Sequence, residues 1–149
     1  MIEEGQIFPD FNLTDQDGNA VSLKDLKGQR TVLYFYPKDD TSGCTLEACD
    51  FRDLMPSIKG ARIVGVSPDN EKSHRKFIAK HNLNFTLLSD IGHVLAEACG
   101  LWVEKTLYGK KYMGVERTTY LLDENSKVIK VWQKVKPEGH AAEVQAALG

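Results

Sequence analysis

Cys44 follows a polar loop, Lys38-Asp39-Asp40-Thr41-Ser42-Gly43, and stands where a helix should begin, with Cys49 five positions later. A thiol in the first turn of a helix meets the positive end of the backbone dipole and N–H groups that have no helical acceptor. Both favour its thiolate, the form that attacks an oxidant or a disulfide. Two thiols so near in sequence also give the first, once oxidised, a neighbour to react with. The plain structural alternative is that free cysteines fill small gaps in an apolar core. That suits Cys99, which lies between Ala98 and Gly100 at the end of an expected helix. It does not suit Cys44, whose upstream flank is polar loop.

Other chemistries are poorly served. His74, His81, His93 and His140 are scattered, and none pairs with a cysteine at zinc-like spacing, so no metal is expected. There is no Cys-x-x-Cys, which argues against an ordinary disulfide reductase, and no glycine-rich phosphate loop. A net charge of -2 without a long basic run argues against nucleic acid as a main partner. No apolar stretch approaches the roughly 18 residues of a membrane span. The acidic start, Met1-Ile2-Glu3-Glu4, lacks a signal-peptide pattern, so a cytosolic setting is expected. Three cysteines are too few for a disulfide framework, and a close pair in a reducing compartment is more readily catalytic than architectural.

The 149 residues show no repeat or linker, so a single domain over 1–149 is expected. Residues 11–14 and 20–23 alternate around Asp15-Gln16-Asp17-Gly18-Asn19, an N-terminal hairpin. Residues 31–36 read as a strand covered on both faces, ended by Pro37. A helix should run from about 41–43 to Met55, with Leu46, Cys49, Asp53 and Leu54 as an imperfect stripe. Residues 61–66 form another buried strand. Ser67 should cap the next helix, with Pro68 as its first residue, running to about His81. A short strand over 85–88 precedes a helix over 92–99 that stops at Gly100. Residues 118–122 and 128–132 form a second hairpin, and Pro137 should open a last helix. This order gives an α/β fold, a mixed central sheet with helices on both faces.

The spacing Pro37, Thr41, Cys44 resembles the active-site signature of the peroxiredoxins. The longer run from Tyr34 to Cys49 is similar to their bacterioferritin comigratory protein, or PrxQ, branch, and Glu116-Arg117-Thr118-Thr119 resembles that branch's second element. Ser42 departs from the pattern, which usually has proline there. It adds a hydroxyl and removes no reacting group.

The resemblance implies a thioredoxin-like fold, no metal or organic cofactor, and reduction of hydrogen peroxide and organic hydroperoxides in antioxidant defence. It implies thioredoxin or a similar dithiol protein as reductant, and a monomer. Cys44 would be the peroxidatic sulfur and Cys49 the resolving one, while Cys99 stays structural. Arg117 would serve the thiolate and the peroxide oxygens, and Thr41 would orient the peroxide. Pro37 would fix the loop and shield the sulfur, and Glu47, one turn on, would orient Arg117. Other members carry a resolving cysteine on another helix, near Ile78 here. Five residues along a helix mean a rise of about 7.5 Å and a turn of about 140°. Bridged cysteines need Cα atoms within roughly 6.8 Å. The segment from Thr41 to about Cys49 is therefore expected to unwind when the bridge forms. Two other readings remain open from the residues alone: a thiol–disulfide exchange protein, and a redox-sensing module signalling through that helix.

Overall fold

The computed structural model describes residues 2–149. Strands β1 (Asn12–Asp15) and β2 (Ala20–Ser22) make the expected hairpin, followed by β3 (Arg30–Phe35) and helix α1 (Ser42–Leu54). Then come β4 (Ala61–Ser67), α2 (Glu71–His81), β5 (Thr86–Ser89) and the short α3 (Val94–Ala98). A ribbon of β6 (Trp102–Leu107) and β7 (Lys110–Val115) precedes β8 (Thr118–Leu122), β9 (Val128–Trp132) and α4 (His140–Leu148).

Seven strands form one mixed sheet in the order β2-β1-β5-β4-β3-β8-β9. The β3–β4 and β4–β5 pairs are parallel, and β8 runs antiparallel to β3. β3 is central because its alternation is apolar on both sides. Val32, Tyr34 and Tyr36 meet one core, with Phe51 of α1, Phe77 of α2 and Val144 of α4. Leu33 and Phe35 meet the other, with Phe8, Phe11, Leu95 and Tyr120. Helices thus cover both faces, unequally. Gly65 of β4 lets Tyr34 lie close beneath α1: a Cβ there would come within 2.7 Å of Leu87 Cδ2 and 3.0 Å of Tyr34 Cζ. No helix among the described residues is long and apolar enough to cross a membrane.

Several sequence expectations are corrected. The buried face of α1 is Cys44, Glu47, Ala48, Phe51 and Leu54, while Leu46 and Asp53 are exposed. A polar Glu47 on the inner face and an apolar Leu46 on the outer one had disguised the stripe. Ser67 and Pro68 do not start α2; Asn70 does, its side chain accepting from Ser73 N at 2.9 Å. Gly92, at φ 76, breaks the helix expected over 92–99 into a 3-10 turn and α3. Pro137 lies ahead of α4, which begins after Gly139 at φ 77. The β6–β7 hairpin went unforeseen. Its two-residue turn is Tyr108-Gly109, both at positive φ, and a tyrosine is not among the residues that usually mark such a turn.

Phe51 is fully buried and anchors the second half of α1. Phe51→Ala should cost about 3–5 kcal/mol of folding stability, read from urea unfolding curves.

Candidate active site

The site is built where β3 hands over to α1. Pro37 ends the strand and is half-buried. The first helical hydrogen bond is Thr45 N to Thr41 O, 2.8 Å, so the N–H groups of Ser42, Gly43 and Cys44 have no acceptor within the helix. Thr41 stands at the cap position, but its side chain makes no cap bond. Its Oγ1 donates to the Lys38 carbonyl at 2.9 Å and tightens the loop, leaving its lone pairs open. Cys44 sits in the first turn, with its residue surface only 2% exposed.

Arg117, immediately before β8, reaches across to this turn. Its Nη2 donates to Cys44 Sγ at 3.3 Å and its Nη1 to Glu47 Oε1 at 2.7 Å. Its own carbonyl accepts from Val135 N, which fixes the backbone. Gly43 makes room: a Cβ there would lie 3.3 Å from Arg117 Nη2 and 3.3 Å from Pro137 Cγ. Burial pushes Glu47 up from 4.5 to about 7, against the pull of Arg117. Arg117 itself is raised by Glu47 and Cys44 despite its own burial, so it stays charged. The second Glu47 oxygen, Oε2, is buried without a hydrogen-bond partner. Beneath lies Tyr34, held well above the usual phenol range by burial, with Glu47 and Cys44 adding to the effect.

Cys49 is on the same unbroken helix, half-buried, and both thiols are free. Arg52 Nη1 donates to its sulfur at 3.6 Å. Cys99 is fully buried on the opposite face of the sheet, and burial, with the Asp90 charge second, pushes its thiol up to about 12.

The loop before Cys44 is clamped to α2. Asp39 Oδ2 lies 2.7 Å from His74 Nδ1, and Tyr36 and Ser73 hydroxyls donate to the same carboxylate at 2.5 and 2.8 Å. His74 Nε2 faces the Leu88 carbonyl at 3.0 Å and must donate to it. The ring thus bridges the loop carboxylate to the backbone of β5. Asp39, Asp69 and His74 have metal-like spacing, but their facing atoms are taken up by hydrogen bonds among themselves and with Tyr36, Ser67, Ser73 and the Asp39 N–H. Outside the loop, Asp40 pairs with Lys80 at 2.8 Å and His81 at 3.2 Å.

The family model for AhpC/TSA matches residues 5–131. The chain belongs to the AhpC/TSA family. It is 52% identical to peroxiredoxin Bcp of Bacillus subtilis strain 168 over 149 residues, covering 99% of this chain and 95% of that protein. Peroxiredoxin Bcp of Escherichia coli K12 is 43% identical over 141 residues, 93% of this chain and 90% of that one. Among solved structures, a cysteine-to-serine mutant of PrxQ from Xylella fastidiosa superposes with a TM-score of 0.93 at 35% identity, covering 99% and 96% of the two chains. The bacterioferritin comigratory protein of Xanthomonas campestris, described for its alkyl peroxide reduction activity, gives 0.86 at 44% identity, covering 93% and 89%. The thioredoxin-like fold and the PrxQ branch follow for this chain.

Sequence reasoning in this family's terms named Pro37, Thr41, Cys44, Glu47, Cys49 and Arg117. The structure gathers Cys44, Glu47 and Arg117 into direct contact, sets Thr41 and Pro37 in the adjoining loop, and leaves Cys49 separate along the helix. Asp39, His74 and Arg52 were missed. An isolated histidine 35 positions from its partner carries no local signal, whereas Arg52, three residues after Cys49, could have been found by helical spacing.

Two outcomes are expected. Asp39→Ala removes the shared hydrogen-bond partner of the Tyr36, Ser73 and His74 side chains and should cost about 1–3 kcal/mol in urea unfolding, with Asp39→Asn recovering part. Glu47 is raised in the folded state, so its stabilising contribution is complete below about pH 4.5 and is lost as pH rises through about 7. Glu47→Gln should therefore gain on the wild type by up to about 3 kcal/mol across that window, the gap between 4.5 and about 7, measured by unfolding at a series of pH values.

Proposed function

We propose that this chain reduces hydrogen peroxide and small organic hydroperoxides through Cys44 and is returned to its dithiol form by thioredoxin or a similar small dithiol protein. The observation that carries the reading is the Arg117 Nη2 donor 3.3 Å from a buried sulfur in the first turn of α1. Charge on that sulfur is stabilised by the guanidinium and by helix N–H groups aimed at the same space. The Cys44 thiolate attacks one peroxide oxygen; the S–O bond forms and the O–O bond breaks. The other oxygen leaves with the electron pair and takes a proton, giving water or an alcohol and a sulfenic acid. Arg117 and the unpaired amides are placed to receive the charge that moves onto the leaving oxygen. Thr41, with its lone pairs free, orients the peroxide, Pro37 stiffens and shields the loop, and Glu47 holds Arg117 in plane.

Cys49 then attacks the sulfenic sulfur, and an intrachain disulfide forms with loss of water. Because both cysteines lie on a continuous helix, α1 must open between Thr41 and about Cys49 for the sulfurs to meet. The resulting strained bridge is easily reduced by an external dithiol. An intrachain bridge needs no second subunit, and we read the protein as a monomer working in the cytoplasm.

Reduced protein mixed with stoichiometric hydrogen peroxide should lose two thiols per chain, and Cys44→Ser should abolish the loss. Cys49→Ser should keep the first oxidation, fail to cycle with thioredoxin, and accumulate sulfinic acid by mass spectrometry. Reduction of insulin disulfides with indifference to peroxide would instead make the protein a thiol–disulfide exchanger.

A further inference from the structure

Arg52 makes contacts that the reading above leaves unused. Its Nη1 donates to Cys49 Sγ at 3.6 Å and to the His81 carbonyl at 2.7 Å, and its Nε to Asp53 Oδ1 at 2.9 Å. The Arg52 carbonyl in turn accepts from Asn84 Nδ2 at 3.1 Å. One residue therefore fastens the second half of α1 to the end of α2 and the loop beyond it. Among the described residues it is also the one cation within hydrogen-bond reach of the Cys49 sulfur. Arg117 is committed elsewhere, to Cys44 and Glu47.

We propose that Arg52 holds the Cys49 sulfur in position and supports its negative charge while it attacks oxidised Cys44, an inference that rests on the peroxidase reading above. Cys49 thiolate bonds to the Cys44 sulfur, the S–O bond of the sulfenic acid breaks, and hydroxide leaves and is protonated to water. Cys49 is oxidised and the sulfenic sulfur is reduced to the disulfide level. The attacking sulfur needs its charge at the moment of bond formation, and a fixed guanidinium donor lowers the cost of carrying it. Asp53 first, and Cys49 after it, raise the guanidinium above its ordinary value, so the donor stays charged throughout.

Anchoring also settles which cysteine travels. Phe51 and Leu54 are buried behind Cys49, and Arg52 binds His81, so the second half of the helix is held from both sides. The first half buries only Cys44, Glu47 and Ala48, with no large apolar anchor, and Arg117 ties it through Cys44 and Glu47. Opening therefore brings Cys44 to a stationary Cys49. A residue that fixed the helix alone would change its stability; one that also serves the sulfur changes the second chemical step and spares the first.

The experiment is a single turnover with hydrogen peroxide, quenched at intervals and read by mass spectrometry for sulfenic, disulfide and sulfinic forms. Arg52→Met should form the sulfenic acid at the wild-type rate but close the disulfide roughly tenfold or more slowly, the worth of one charge-assisted hydrogen bond. Its sulfinic fraction should rise in step, because the sulfenic acid waits longer for a second peroxide. Arg52→Lys should recover part of the rate. Should the methionine variant not fold, Arg52→Gln, which keeps a donor without the charge, is expected to show the same slowing. Disulfide closure at the wild-type rate in a folded neutral variant overturns the inference, as does a lysine variant no faster than the neutral one. A Cys49→Ser control that still closes a bridge, through Cys99, would overturn the resolving assignment itself and is recognisable without any Arg52 variant.

Discussion

One guanidinium shared between a sulfur and a buried carboxylate is the interaction on which the site depends. Arg117 has two claimants, Cys44 at 3.3 Å and Glu47 at 2.7 Å. A fully ionised Glu47 would take most of its charge. Burial prevents this by pushing the carboxyl towards neutrality, so the carboxylate orients the guanidinium without saturating it. The surrounding packing serves that balance. Tyr34 and Phe51 exclude water from below, and Gly43 leaves the space that Arg117 Nη2 occupies. The apolar core is therefore part of the chemistry, since it sets the dielectric in which one guanidinium is shared between a sulfur and a carboxyl group.

The second constraint is geometric. A helix that presents Cys44 to Arg117 cannot also present Cys49 to Cys44, so the proposed bridge asks the fold to hold some parts firmly while one stretch lets go. The firm parts are visible. The Asp39–His74 pair fixes the loop upstream, Asp40 adds an outer tether to α2, and Phe51, Leu54 and Arg52 fix the helix downstream. Between them, residues 42–48 bury little apolar surface, and stability is expected to be lowest there. The structure thus concentrates its weak point on the segment that the proposed disulfide would need to move.

Legibility followed how local each signal was. Pro37, Thr41 and Cys44 lie within eight residues, and the β1–β2 and β8–β9 hairpins carry their turns in the same stretch as their strands. Those features were readable. The α1 stripe was misread because its inner face includes Glu47, whose burial only Arg117, 70 residues on, makes tolerable. The β6–β7 ribbon was lost because its turn uses tyrosine at positive φ and its strands are mostly exposed, with little apolar alternation. The start of α2 moved from Ser67 to Asn70 because Ser67 is spent on Asp69, which in turn receives the Asp39 N–H. For α1 the deciding partner lies far along the chain.

That distance has a bearing on biosynthesis. Cys44 is separated from Arg117 by 73 residues, and β3 pairs with β8 only when the latter has been made. While a ribosome is still extending the chain, the nascent thiol exists without its guanidinium and behaves as an ordinary cysteine. Under the proposed peroxidase reading, the sulfur meets its guanidinium only once the β3–β8 ladder closes, so an incomplete copy carries Cys44 without the partner that would activate it.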